Sequence, residues 1–175
     1  MNAFVVDTNV PVTANGRAEQ AGPPCVLACI EALSKIVQGG MTVLDDGRRI
    51  LREYMDNLNM SGQPGVGDMF MKWVWQNQAV TGRCEQVTIT PRDRADDDFD
   101  EFPDDPALAR FHRKDRKFVA VALASRNNPL ILNAVDSDWQ AFRQALTKHR
   151  VRIRFLCSAE MGQGCSVENL SSDEG

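Results

Sequence analysis

Apolar residues recur along this chain in two rhythms, and their alternation predicts the fold. Short apolar runs at Ala3 to Val6, Met41 to Leu44, Val87 to Thr90, Leu130 to Val135 and Val151 to Cys157 read as strands, and the first and fourth run into an acid, Asp7 and Asp136. Between them the apolar spacing changes to three and four residues, the repeat of a helix face. One helix starts at Pro23 and Pro24, buries Val26, Cys29, Ile30, Leu33, Ile36 and Val37, and stops at Gly39 and Gly40. A second covers Arg48 to Leu58 behind Asp45 or Asp46 as cap, with Ile50, Leu51, Tyr54 and Leu58 inward. A third covers Asp68 to Gln78 after the turn-forming SGQPGVG, a fourth leads from Asp115 through Leu123, and a fifth occupies residues 138 to 148. Thr8, Asn9 and Pro11 read as a break after the first strand.

Strands alternating with helices imply right-handed crossovers and a mainly parallel sheet covered on both faces, a three-layer α/β/α fold. Ligands in such folds bind beyond the carboxyl ends of the strands, so Asp7 and Asp136 are expected to converge. Residues 91 to 113 depart from the rhythm. Asp93, Asp96, Asp97, Asp98, Asp100, Glu101, Asp104 and Asp105 crowd there among prolines and phenylalanines, which reads as an acidic insertion or lid with a short helix near Ala107. Residues 158 to 175 read as a polar tail that frays.

A length of 175 residues fits one domain, and 43% hydrophobic with 25% charged residues fits an ordinary folded chain. No apolar run approaches the roughly 18 residues that span a bilayer, so a cytoplasmic protein without membrane contact is expected. Cys25, Cys29, Cys84, Cys157 and Cys165 lack a CxxC pair or a His partner at zinc-finger spacing and read as reduced thiols. Cys25 and Cys29 lie one helical turn apart and can share a metal, although buried cysteines on a helix face are commoner. The formal charge of -4 conceals segregation, because the acidic stretch is followed at once by Arg110 to Lys117.

Four carboxylates form the candidate site: Asp7 after the first strand, Glu53 on the second helix, Asp115 opening the long helix and Asp136 after the fourth strand. Clustered carboxylates repel one another unless a cation neutralises them, and hard oxygen donors select Mg2+ or Mn2+. The pieces VVDTNV at 5 to 10, LREY at 51 to 54, DRKFVAVALA at 115 to 124 and LNAVDSDW at 132 to 139, in that order, resemble a PIN domain. The resemblance spans residues 1 to 157 and implies a Mg2+ or Mn2+ dependent endonuclease related to flap endonucleases. It implies that Asp7, Glu53, Asp115 and Asp136 are the catalytic and metal-binding acids, with Asp138 accessory and Thr8 or Asn9 supporting them. Ala134 stands where the family often carries Thr or Ser. The resemblance also favours RNA over DNA as substrate and suggests a toxin or defence setting. A protein inhibitor, a defence-system partner and a homodimer are further partner classes. Arg113, Lys114, Arg116 and Lys117 are the candidate nucleic-acid contacts.

Each feature also has a plainer reading. Asp7 can satisfy backbone amides at a turn, Asp115 can be a helix cap, and Glu53 can be a solvated residue at the edge of its helix stripe. Asp136 is taken as the ligand and Asp138 as the N-cap of the next helix. Trp73 and Trp75 suit a core or interface as well as base stacking, His112 and His149 suit a surface, and GQPGVGD suits a turn. A charge run is commonly a solvated face; the gate reading has Asp93 to Asp105 cover the basic rim in place of nucleic acid. A non-catalytic PIN-like module that binds RNA or a protein is the alternative function. A haloacid dehalogenase-type phosphohydrolase expects an acid where Asn9 stands.

Overall fold

The computed structural model describes residues 2–157. The expected tail, residues 158 to 175, lies outside them, as does Cys165. Five strands, β1 (Ala3–Val6), β2 (Met41–Asp45), β3 (Cys84–Val87), β4 (Leu130–Asn133) and β5 (Arg152–Phe155), pair in parallel in the order β3-β2-β1-β4-β5. Among the described residues six helices flank the sheet: α1 (Asn9–Ala14), α2 (Pro23–Gly39), α3 (Arg49–Asn57), α4 (Val66–Asn77), α5 (Arg116–Ala124) and α6 (Ser137–Lys148). The architecture is three-layer α/β/α. Val5, Val6, Val43 and Ile131 are wholly buried, as central strands covered on both faces require. Edge strand β5 instead alternates, with Arg152 and Arg154 turned to solvent.

Strand order reverses at β1, whose neighbours are β2 on one side and β4 on the other. Consecutive crossovers leave that point in opposite directions, which opens a crevice at the carboxyl ends of β1 and β4. Asp7 emerges there, with its N–H donating to Leu132 O at 3.0 Å.

Four local expectations are corrected. The break after the first strand holds, since β1 ends at Val6, but residues 9 to 14 form a helix rather than a plain turn: α1 starts at Asn9 and takes Pro11 into its first turn, where no N–H is needed. The third strand is Cys84–Val87 rather than 87 to 90. Gly82, at φ +82°, turns the chain early enough for Cys84 to pair with Thr42, while Thr88 and Thr90 spend their donors on Asp46 and Glu101. Helix α4 begins at Val66, two residues early, with the Asp68 carboxylate accepting from Gly65 N–H at 2.8 Å. Gly67 must be glycine, since a Cβ there would lie 1.9 Å from Pro11 O. Finally, Cys25 and Cys157 form a disulfide, so the reduced reading fails for this pair. The pairing bridges 132 residues and arises only when the fold brings the start of α2 beside the exit of β5.

The acidic insertion is docked against the domain. Phe99, Phe102, Leu108 and Phe111 are buried, and Phe111 packs edge-on to Trp139 at 5.0 Å. The short helix near Ala107 is the 3-10 turn Pro106–Leu108. Withdrawing four such side chains costs on the order of 6–12 kcal/mol, so this segment does not swing as a free lid. No helix among the described residues is long and apolar enough to cross a membrane.

Candidate metal centre

Asp7 leaves β1 almost fully buried, and its Oδ1 accepts from Asn9 N–H at 2.9 Å. Asn133, the last residue of β4, donates its side-chain amide to Asp7 Oδ2 at 3.4 Å. Asn9 in turn accepts from Ala134 N–H at 2.9 Å, which ties the exits of β1 and β4 together. Asp7 therefore does satisfy a turn amide, and it lies buried behind the cleft that the other acids line rather than on its wall.

Glu53 is held from both sides. Tyr54, beside it on α3, is buried and donates to Val6 O at 2.5 Å, which fixes the helix against β1. Thr8 Oγ1 donates to Glu53 Oε1 at 2.6 Å, and Lys117 Nζ lies 2.6 Å from Glu53 Oε2. Glu53 is not a merely solvated residue.

Asp115 precedes α5 but makes no side-chain cap hydrogen bond, so its carboxylate is free of that task. His112 Nδ1 lies 3.6 Å from it. Asp136, rather than Asp138, is the N-cap of α6: its Oδ1 accepts from Asp138 N–H at 2.8 Å and Trp139 N–H at 3.4 Å. The exchange follows from chain direction, since the helix begins at Ser137 and leaves Asp138 inside the first turn.

Glu53, Asp115, Asp136 and Asp138 line one cleft of about 670 Å³, joined by His112, Lys114 and Lys117. Burial pushes the Asp7 carboxyl well above the ordinary carboxylate range, and the charges of Asp115, Glu53 and Asp136 push it further. Burial and then Asp136 raise Asp115 to about 6, against the opposing pull of His112 and Lys117. Asp136 is also raised, mainly by burial, although its two cap bonds resist the shift. Asp7 thus feels the charges of Asp115, Glu53 and Asp136, and Asp115 those of Asp136 and Glu53, while the carboxylate that acts on Asp136 is Asp138.

By donor type the set suits a hard divalent cation, with four carboxylates and the buried Asn133 Oδ1, which accepts no hydrogen bond, but among the described residues no three of these carboxylates bring oxygens within 4.8 Å of one another. Sequence reasoning missed Asn133, whose signal is a polar residue closing an otherwise apolar strand. It also placed Lys117 on the substrate side, whereas its ammonium pairs with Glu53.

The other proposed nucleic-acid contacts separate. Arg116 is buried and spent internally, bonding Ala109 O at 3.1 Å and Asp98 at 2.9 Å. Arg113 is more exposed but pairs with Asp93 and with Asp97, the latter at 2.6 Å. Lys114 is exposed at the cleft. Trp73 stacks on Phe70, Trp75 stays exposed near Arg48, and His149 pairs with Asp105 at 2.8 Å.

Protein-family models, curated proteins and solved structures give no match to this chain. The chemistry of the centre rests on its own geometry.

Proposed function

We propose that this protein is a PIN-like, Mg2+ or Mn2+ dependent endonuclease that hydrolyses phosphodiester bonds, with RNA favoured over DNA. The observation that supports the reading is the buried Asp7 at the strand-order reversal, which feels the charges of Asp115, Glu53 and Asp136. Four acids concentrated in a crevice destabilise the protein unless a cation completes them. Asp7, Asp115, Asp136 and Glu53 would hold the ion. A bound divalent ion supplies an activated water and neutralises charge on the leaving oxygen. Asn9 and Asn133 keep the Asp7 carboxylate oriented, and Thr8 does the same for Glu53. Lys114, exposed at the cleft, would meet substrate phosphate. The preference for RNA, and a toxin or defence setting with a protein inhibitor, rest on the sequence resemblance.

A second reading has one observation of its own. The Lys117 ammonium already neutralises Glu53, as a built-in cation in a non-catalytic nucleic-acid-binding module would. Cleavage of single-stranded RNA and DNA under Mn2+ separates the two. The nuclease reading predicts Mn2+-dependent cleavage by the wild type and its loss in Asp7→Asn. Binding without cleavage by the wild type overturns it in favour of the module, and an active Asp7→Asn variant overturns the assigned centre.

A further inference from the structure

The remaining chemistry-bearing cluster contains none of these acids and sits where the first turn of α2 meets the chain leaving β5. Cys25, Cys29 and Cys157 are each at least 96% buried, and their sulfur atoms all lie within 4.8 Å of one another. Two of them are joined, Cys25 to Cys157, while Cys29 remains a free thiol beside the bond. A structural disulfide needs only two cysteines. The third is unused by the clamp and by the acidic centre. We propose that, once the disulfide is reduced, Cys25, Cys29 and Cys157 bind one Zn2+ ion through three thiolates.

The geometry is close to what zinc requires. Tetrahedral zinc with bonds of about 2.3 Å to sulfur holds its thiolates roughly 3.8 Å apart. The trio therefore contracts by no more than about 1 Å across its widest separation, and the Cys25 and Cys157 sulfurs move apart from bonding distance. Side-chain rotation supplies shifts of that size without moving the strands. Cys25 and Cys29 sit four residues apart on one helix and so face the same side. Cys25 is the third residue of a 17-residue helix, where the positive end of the backbone dipole favours a thiolate. Burial raises the Cys29 thiol to about 12, which keeps it protonated and inert until a cation displaces the proton. Soft sulfur donors select zinc over the magnesium or manganese that the carboxylates favour, so the two sites do not compete for one ion.

The chemistry balances. A dithiol reductant gives two electrons and two protons to the Cys25–Cys157 bond and closes to its own disulfide, leaving three thiols in the trio. Zn2+ then displaces three protons, one from each sulfur, and water fills the fourth position. Disulfide and zinc are mutually exclusive clamps on the same two elements, so α2 stays tied to the exit of β5 in either redox state.

Cobalt is the probe, because thiolate-to-cobalt charge-transfer absorption arises only from sulfur ligation and is blind to ions held by the acids. The full chain, reduced under anaerobic conditions, is expected to develop these bands with one equivalent of Co2+ and to lose them when one equivalent of Zn2+ is added. Oxidation to the disulfide should abolish them. Cys29→Ala leaves the disulfide intact and should weaken Zn2+ binding by more than about 100-fold, since even the loss of a partner outside the ligand set costs 10–100-fold. Absence of the bands in the reduced wild type overturns the proposal, as does their persistence after oxidation or undiminished Zn2+ affinity in Cys29→Ala. The oxidation arm needs no variant and decides the matter even if Cys29→Ala folds poorly.

Discussion

Replacing Asp115 by Asn should stabilise the metal-free protein. Asp115 rises from 3.8 to about 6 in the fold, and its side chain is 21% exposed, so it is shielded from most solvent screening. A shift of roughly 2 units corresponds to about 3 kcal/mol, an upper bound for the penalty of keeping this carboxylate charged. Because the folded form binds its proton more tightly than the unfolded form, the penalty is full above about pH 6. It shrinks as pH falls from there and vanishes below the unfolded value near 3.8. For a domain of this length, about 3 kcal/mol raises Tm by roughly 6–12 °C. The assay is thermal unfolding of wild type and Asp115→Asn in a chelator, from pH 8 to pH 3.5. The variant should melt higher at pH 7.5, and the two curves should converge near pH 3.5. Mn2+ should then raise the wild type more than the variant, because only the wild type retains the full ligand set. A variant that melts at or below the wild type at pH 7.5 refutes the claim that burial and the neighbouring acids penalise the Asp115 charge.

Three further outcomes follow from single contacts. Tyr54→Phe leaves Val6 O without its 2.5 Å bond and should cost about 1–3 kcal/mol in chemical denaturation, while loosening Glu53 and so weakening Mn2+ binding; unchanged stability would show the bond to be idle. Asp93→Asn with Asp97→Asn frees Arg113 and should steepen the dependence of nucleic-acid affinity on salt by up to about one logarithmic unit, an effect a filter-binding titration reads directly; an unchanged slope removes the charge-cover role of this segment. Gly67→Ala drives a methyl group into Pro11 O and should destabilise by about 1–3 kcal/mol or more, with a wild-type Tm contradicting the close approach of α1 and α4.

The strands and long helices were legible because apolar runs and three-to-four spacing report burial directly. The acids at strand ends were legible for the same reason: the strand that carries Asp7 is an apolar run, so the residue that ends it must emerge at the sheet edge. What escaped reading depended on contacts distant in sequence. Pro11 reads as a breaker until it falls at a helix start, where its missing donor is harmless. The partners of Arg113 and Arg116 are carboxylates of the preceding segment, and charge alone does not reveal that they are consumed there. The 132-residue disulfide has no local signature. Phe99 and Phe111 carried the clue that residues 91 to 113 are anchored, but the surrounding acids masked it.

The central claim is that the four acids hold a divalent ion. Anomalous diffraction from crystals grown with Mn2+ tests it without reference to any substrate. The account predicts a manganese peak bonded to carboxylate oxygens of Asp7, Glu53, Asp115 and Asp136, at distances near 2.2 Å, with Glu53 released from Lys117. A map with no peak among these carboxylates at millimolar Mn2+, with Lys117 still seated on Glu53, would contradict it.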